Sequence, residues 1–236
     1  MDPGTNAIVR QVALELCDIQ SEPSPPRSAT SPSLVFPSYR PTTLNGPQRA
    51  RISEAEARVL YCLALASLKM PFAVEVPTTQ QYAFSGTTRM SARTDLVVYA
   101  SRPDASRPDA PQTLMRSLAI EFKAHNPRVE AIRKDLEKLL REQYDGLWFH
   151  VLDNADSKTI PALMAKFAQV IGGLQTLWQE CTHTLALCAV VKKKKFWLYR
   201  TLAPPHDSVP DLSIDYDVLG RKLAVRDARG WNFEAF

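Results

Sequence analysis

The sequence predicts an α/β domain in which helices cover both faces of a mixed central sheet. The predicted elements run in the order helix, two or three strands, helix, strand, helix and two strands, which is typical of a three-layer α/β/α domain. With 236 residues, 45% of them hydrophobic, the chain has enough apolar surface for the core of one such domain. A change of composition near residue 50 marks where we expect this domain to begin.

The first 50 residues are predicted to form an arm that precedes the domain at 51–236. A short amphipathic helix is expected within 6–19, and 21–50 contain seven prolines and six serines, a composition typical of a linker. The apolar run at 34–37 is expected to pack on the domain or on a partner, the domain being favoured. Deletion of the arm is expected to spare the fold, and the arm is a candidate for protein contact or self-association. The apolar residues at helical spacing are Ile8, Val12, Leu16 and Ile19.

A long helix is predicted at about 53–70. Ser53 is a plausible N-cap, and Glu56 three residues later completes the capping-box pattern. Glu56 also falls on the inward stripe of this helix, whereas Glu54 falls on the opposite side. Because a buried acid is unusual, Glu56 is either a capping residue or a functional one, and the sequence leaves both interpretations open.

The remaining elements follow from apolar periodicity and turn signals. The segment at 101–116 contains "SRPDA" twice and is predicted to be a loop, and the tail at 204–236 is left without assigned order. Strands are predicted at 72–84, 92–100, 117–123, 146–153, 184–191 and 196–202, and helices at 128–143 and 159–181.

Three charged residues on successive predicted strands form a candidate site. In "LAIEFK", strand alternation turns Glu121 and Lys123 away from the apolar face, and Asp95 lies early in the preceding strand. If these strands are antiparallel neighbours, the three side chains meet at one edge of the sheet. A solvated ion pair is the ordinary explanation; the alternative is a reaction site. Converging carboxylates suit Mg²⁺ or Mn²⁺, which acidify bound water and polarise phosphoryl oxygens.

The segments "ISEAEARVLYCL", "SARTDLVVY" and "LAIEFKAHNP" resemble the PD-(D/E)XK nuclease superfamily over residues 51–153. The resemblance implies a restriction-endonuclease-like core with the order helix, three strands, helix and strand. It implies that Asp95, Glu121 and the carbonyl of Phe122 bind the metal. It also implies that Lys123 is the catalytic lysine and that Glu56 is the acid contributed by the helix.

Three features depart from the pattern of the superfamily. Thr94 stands where many members have proline, and Glu121 follows Asp95 by 26 positions, a long gap that the duplicated "SRPDA" explains. No Gln-x-x-x-Tyr pattern follows the Glu-x-Lys strand, so the exonuclease branch that carries it is not supported.

Several basic residues are candidates for contact with nucleic acid. Arg93 shares a face with Asp95 and either contacts phosphate or forms an ion pair. Lys134 either points back at substrate or lies on a solvated helix face. The run Lys192, Lys193, Lys194 and Lys195 is either an ordinary hairpin tip or a phosphate-contacting finger, with binding that would weaken as salt rises.

These patterns predict a Mg²⁺-dependent endonuclease that favours DNA over RNA, with bacterial antiviral defence as the setting that the resemblance suggests. The alternative is a catalytically silent relative of the same fold that binds nucleic acid or protein in a larger assembly. The net charge of +4 is compatible with a polyanionic partner. Without a signal-peptide pattern, a membrane-length apolar run or paired cysteines, we expect a cytoplasmic protein with free thiols.

Overall fold

The computed structural model describes residues 3–19, 35–36, 38–41, 48–82, 90–102, 113–204, 207–214, 224–226 and 229–236. The helices are α1 (Pro3–Asp18), α2 (Glu54–Ser67), α3 (Val129–Arg141), α4 (Thr159–Gly173) and α5 (Gln175–Glu180). The strands are β1 (Ser38–Pro41), β2 (Gln48–Arg51), β3 (Phe72–Tyr82), β4 (Met90–Arg102), β5 (Thr113–Ala124), β6 (Asp145–Leu152), β7 (Leu185–Val191), β8 (Phe196–Leu202), β9 (Ala224–Arg226) and β10 (Asn232–Ala235).

Eight strands form one mixed sheet in the order β3-β4-β5-β6-β7-β8-β10-β9, and β1 and β2 form a separate antiparallel pair. Strands β5, β6 and β7 are parallel, and every other neighbouring pair is antiparallel. The carboxyl ends of β5, β6 and β7 therefore lie at one edge of the sheet, next to the amino end of α2. The antiparallel pairing of β4 with β5 confirms the expected arrangement of the two motif strands.

Two hydrophobic core clusters lie on opposite faces of the sheet, which confirms a three-layer α/β arrangement. Residues Leu118, Ile120 and Phe122 of β5 pack against α1 and α2. Ala119 belongs to the other cluster, which packs against α3, α4 and α5. The alternation predicted from "LAIEFK" thus assigns each apolar side chain of β5 to a layer, and it leaves Glu121 and Lys123 on the face covered by α3.

Helix α1 is part of the domain rather than a separate arm. Its apolar stripe is at most 6% exposed and packs on α2, β7 and β8 within one core cluster. The Arg10 guanidinium also donates to both carboxylate oxygens of Glu234 on β10, at 2.8 and 3.0 Å. The boundary expected at residue 50 therefore does not separate α1 from the fold, because this stripe needs the sheet to cover it. Residues 20–34 and 42–47 of the expected linker lie outside the described residues.

The helix expected at 159–181 is two helices. α4 ends at Gly173, and α5 begins at Gln175 after Leu174, whose φ of −117° is not helical. Two consecutive glycines, which weaken helix propagation, precede this break. The tail that the sequence left without order supplies β9 and β10. Within the part of the chain that the structure describes, no helix combines the length and apolar character needed to cross a membrane.

Candidate active site between strands β4 and β5

Asp95 and Glu121 lie beside each other on neighbouring strands. The β4–β5 ladder pairs Leu96 with Ile120, so Asp95 and Glu121 follow that pair on the opposite sheet face. Asp95 Oδ2 accepts a hydrogen bond from the backbone N–H of Phe122 at 2.8 Å, which ties the acid of β4 directly to the motif on β5. Burial raises the pKa of Asp95, although this backbone hydrogen bond and nearby lysines oppose the change.

Glu121 is almost fully enclosed, with 1% of its surface exposed. Lys138 Nζ lies 2.7 Å from Glu121 Oε1 and forms an ion pair with it. Glu121 Oε2 makes no hydrogen bond to any described residue. Burial, and then the negative charge of Asp135, hold the pKa of Glu121 well above its usual range, while Lys138 opposes them. An ionised carboxylate that is buried to this extent is stable only when a positive charge lies next to it.

Lys123 is held between acids from the two helical layers. Its Nζ lies 3.0 Å from Asp135 Oδ2 on α3 and 3.7 Å from Glu54 Oε2 on α2. Burial alone would lower the pKa of Lys123, but the charges of Asp135 and Glu54 outweigh it and raise this pKa. Glu54 Oε1 also accepts from the backbone N–H of Ala124 at 3.3 Å. The ammonium group of Lys123 is therefore kept charged and fixed at the end of β5.

The ammonium group of Lys138 is surrounded by three oxygen atoms, one of them from Glu121. Besides Glu121 Oε1, its Nζ lies 2.9 Å from Asp135 Oδ1 and donates to the backbone carbonyl of Arg93 at 3.0 Å. Both Asp135 and Lys138 are 7% exposed, so this is a buried network rather than a surface pair. It connects α3 to both motif strands, and it places two ammonium groups among the carboxylates of the site.

Glu56 does not join this network. Its carboxylate accepts from the backbone N–H groups of Val35 and Phe36, at 3.0 and 2.7 Å, and Ser53 Oγ accepts from the N–H of Glu56 at 3.2 Å. The structure therefore does not bring Glu56, the helix acid that the resemblance implies, into contact with Asp95, Glu121 or Lys123. Glu54 takes that place, because α2 begins at Glu54 and its first residue lies next to the end of β5.

A positively charged residue of α2 reaches Asp95 from the other layer. Arg58 Nη1 lies 3.9 Å from Asp95 Oδ1, a long contact, and 2.5 Å from Glu75 Oε1 on β3. Glu75 has a left-handed backbone conformation with φ of 51° within β3. Asp95 Oδ1 is the less strongly engaged oxygen of this carboxylate, whose side chain is 23% exposed.

The oxygen donors suit a hydrated divalent cation. Among the described residues there is no group of three or more His, Cys, Asp and Glu side chains arranged to hold a metal. Mg²⁺, however, keeps several waters and is usually bound through only one or two carboxylates. Asp95 Oδ1 and the unbonded Glu121 Oε2 are two such oxygens on adjacent strands. The residues present therefore fit Mg²⁺ as a two-carboxylate site, with the carbonyl of Phe122 implied only by the resemblance.

The turn that follows β5 is held by two histidines. His150 on β6 is fully buried; its Nδ1 accepts from Trp148 Nε1 at 3.3 Å, and its Nε2 lies 2.7 Å from the carbonyl oxygen of His125. These partners require a neutral His150 that carries its proton on Nε2. Burial lowers the pKa of His150 to about 4. His125 has φ of 64°, and its Nδ1 lies 2.7 Å from Arg51 Nη2.

The basic residues expected to contact nucleic acid differ in exposure. Arg93 and Lys134 are exposed near the site, and Arg93 also donates to the carbonyl of Glu75 at 2.9 Å. Lys192 is 4% exposed, so the expectation that it contacts phosphate is wrong in this structure, because the Lys192–Lys194 turn packs against α1. Of the other lysines in the run, Lys193 pairs with Asp153 at 3.0 Å, Lys195 pairs with Asp18 at 3.7 Å, and Lys194 is exposed.

Three site residues were not among those predicted from the sequence: Glu54, Asp135 and Lys138. For the two residues of α3 a signal was present. Asp135 lies three positions after Ile132 on the apolar stripe, and Lys138 stands beside Leu139, so both charges fall on the buried side of an amphipathic helix. A charged side chain on the buried side of a helix needs an oppositely charged or hydrogen-bonding partner. The position of Glu54 depends instead on where α2 begins and how it meets the sheet, which periodicity does not specify.

The candidate site is described by the arrangement of a few charged residues on β4, β5, α2 and α3. The site combines two adjacent carboxylates, a charged lysine at the strand end, and a buried pair on α3 that contacts both. No family model, curated protein or solved structure matches this chain.

Proposed function

We propose that this protein is a metal-dependent nuclease that hydrolyses phosphodiester bonds at the edge between β4 and β5. The observation that carries the proposal is the position of Asp95, Glu121 and Lys123, which meet on one sheet face although 26 positions separate the two acids. A partly exposed carboxylate beside a buried one, next to a fixed cation, is suited to binding a divalent metal and a phosphate group.

The order of elements supports the same proposal. Helix α2, strands β3, β4 and β5, helix α3 and strand β6 follow one another in the chain and are neighbours in the structure. This is the helix, three strands, helix and strand order that resemblance to PD-(D/E)XK nucleases implies. Asp95 lies on the second of those strands and the Glu-x-Lys motif lies on the third. The proposal of a restriction-endonuclease-like core therefore rests on topology and motif position together.

The roles of the residues follow from their partners. Asp95 and Glu121 would hold the metal, which when bound supplies a Lewis acid for the phosphate and lowers the pKa of a coordinated water. Lys123 remains protonated because Asp135 and Glu54 stabilise its charge. We therefore assign to Lys123 the stabilisation of negative charge on the phosphate rather than the removal of a proton from water.

DNA is the substrate class that we propose first, with RNA as the competing one. Arg93 and Lys134 are exposed next to the site and would contact phosphates that flank the cleaved bond. Such contacts are sequence-independent and weaken as salt rises. Bacterial antiviral defence remains a proposed setting that rests on the resemblance alone.

Cleavage of supercoiled plasmid and of single-stranded RNA by the purified full chain tests the proposal. We expect nicking or linearisation of the plasmid with Mg²⁺ or Mn²⁺, none with EDTA, and none with Glu121→Gln or Lys123→Met. Arg229→Met is the matched control, because it also removes the basic member of an ion pair but lies away from the motif. Cleavage that persists in Glu121→Gln or in EDTA contradicts the proposal.

A second function is favoured by one observation, the ion pair between Lys138 and Glu121. A lysine already supplies a positive charge at one of the expected metal ligands, at 2.7 Å. A catalytically silent relative of this fold, acting as a module that binds nucleic acid or protein, would be stable with such a pair and would need no metal. It predicts binding of DNA that is unchanged by EDTA and by Glu121→Gln.

A further inference from the structure

We infer that Lys138 is an internal competitor of the divalent metal at Glu121, so that the ammonium group next to Glu121 Oε1 weakens metal binding at this site. The inference rests on the proposed function, since it concerns the same metal site. It means that a residue of α3 lowers the affinity of the site for the metal.

The first argument is the character of the position that Lys138 occupies. Its Nζ is surrounded by two carboxylate oxygens and one backbone carbonyl, at 2.7, 2.9 and 3.0 Å, from Glu121, Asp135 and Arg93. Oxygen donors of these types are also the ligands of hard divalent cations. An ammonium group in such a cage provides the charge that a metal would otherwise bring.

The second argument concerns the oxygens left for a metal. Glu121 is 1% exposed, and its Oε2 makes no hydrogen bond to a described residue. A metal bound to Oε2 and Asp95 would lie within a few ångströms of the Lys138 charge, and like charges at that distance in a buried site repel strongly. A metal bound to Oε1 would need the place that Lys138 holds. In both cases Lys138 and the metal oppose each other.

The third argument is that Lys138 has a second ion-pair partner besides Glu121. Asp135 contacts Lys138 through Oδ1 and Lys123 through Oδ2, so it provides a second anion for either lysine. If Lys138 leaves Glu121, it keeps Asp135 as a partner and its charge is not left unpaired. The pair on α3 thus lets Glu121 exchange one cation for another at limited cost.

Titration of the full-length protein with Mn²⁺, with free Mn²⁺ followed by electron paramagnetic resonance, tests the inference without using activity. Lys138→Met keeps the apolar stem but removes the charge. We expect it to bind Mn²⁺ about tenfold or more tightly than the wild-type protein, because a repelling charge has been removed from the site. Arg229→Met, which also loses the basic member of an ion pair, is expected to bind as the wild type does.

A second comparison keeps the test decisive if Lys138→Met does not fold, as judged by circular dichroism. The double variant Asp135→Asn with Lys138→Met removes one charge of each sign, and its reference is Asp135→Asn alone. Tighter binding by the double variant supports the inference, and equal or weaker binding overturns it.

Failure of the inference is distinguishable from failure of the proposed function. If the wild type binds Mn²⁺, loses it in Asp95→Asn, and Lys138→Met binds no tighter, the inference is overturned and the metal site stands. If no variant binds Mn²⁺, the inference is overturned as well, and plasmid cleavage by the wild type then decides whether the nuclease proposal survives.

Discussion

At the scale of single residues, the site is defined by which acid reaches Lys123. Glu54 contacts both Lys123 and the backbone of Ala124, whereas Glu56 binds the backbone of Val35 and Phe36. Two acids separated by one residue therefore have different partners: Glu54 helps to fix Lys123, and Glu56 binds the segment that precedes α2.

This difference predicts opposite effects for two matched substitutions. Glu54→Gln is expected to lower the cleavage rate by about tenfold with little loss of stability, because Lys123 loses one of its two acids. Glu56→Gln is expected to leave cleavage unchanged and to lower the free energy of unfolding by about 1 kcal/mol, because a charged acceptor is lost. Initial cleavage rates and urea unfolding check both. Loss of cleavage in Glu56→Gln with full activity in Glu54→Gln contradicts the assignment.

A pH dependence of stability follows from His150. Its pKa of about 4 in the folded protein lies below the ordinary value of 6.5, so the folded state disfavours its protonation. The stability that this neutral histidine contributes is complete above pH 6.5 and is lost as the pH falls toward 4. Between pH 7 and pH 5 the expected loss is about 2 kcal/mol.

Urea unfolding at the two pH values, for the wild type and for His150→Gln, measures this contribution. Glutamine keeps a donor for the carbonyl of His125 but does not titrate. We expect the loss between the two pH values to be smaller by about 2 kcal/mol in the variant. The same loss in both proteins would show that another group is responsible.

Residue patterns identified the motif but only part of its surroundings. Alternation along "LAIEFK" assigned the faces of Glu121 and Lys123 correctly, because the strand period is fixed by backbone geometry. Asp135 and Lys138 were detectable as charges on an apolar stripe, but their partners depend on how α3 lies across β4 and β5. The helical wheel correctly turned Glu56 inward and Glu54 outward, since Glu56 is 3% exposed and the Glu54 side chain is 47% exposed, but it could not indicate that Glu54 reaches Lys123.

At the scale of elements, the amino end of α2 combines capping with docking of the segment before it. Ser53 Oγ accepts from the backbone N–H of Glu56 and donates to the carbonyl of Phe36 at 2.6 Å. Ser53→Ala removes both bonds, and we expect it to lower the free energy of unfolding by about 1 kcal/mol.

Ser67→Ala, at the other end of the same helix, is the control for Ser53→Ala. Ser67 Oγ donates only to the carbonyl of Ala64 within the helix. Its replacement is expected to change the stability by less than about 0.5 kcal/mol. Thermal or urea unfolding of the two variants side by side measures the difference, and equal effects would contradict the capping role of Ser53.

Elements with strong periodicity were predictable, and their junctions were not. The structure confirms strands and helices near every position predicted between 53 and 202, with ends displaced by a few residues. The break between α4 and α5 escaped prediction because the apolar stripe continues through it from Phe167 to Trp178. Strands β9 and β10 are short, and they are stabilised by pairing, β10 with β8 and β9 with β10, rather than by a pattern of their own.

At the scale of the whole molecule, α1 makes the N-terminal residues part of the hydrophobic core. Leu16 is fully buried beneath α2 and the sheet, so Leu16→Ala is expected to lower the free energy of unfolding by about 2–5 kcal/mol. Leu63→Ala, on the exposed side of α2 with 60% exposure, is expected to change it by less than about 0.5 kcal/mol.

Urea unfolding of both leucine variants tests whether α1 belongs to the cooperative unit. An effect of Leu16→Ala as small as that of Leu63→Ala would mean that α1 is held only loosely, as the sequence had suggested. The composition of residues 1–50 could not decide this, because an amphipathic helix has the same pattern whether its stripe meets its own domain or a partner.

The proposed nuclease function depends on the whole arrangement: two antiparallel strands, one helix from each layer, and a buried network that fixes Lys123 and Glu121. The most direct measurement is the rate at which the full-length protein nicks supercoiled plasmid in Mg²⁺, compared between the wild type and Asp95→Asn at equal folded fraction. The account predicts nicking by the wild type and its loss in the variant. Equal nicking by both proteins, or none by the wild type with either Mg²⁺ or Mn²⁺, would contradict it.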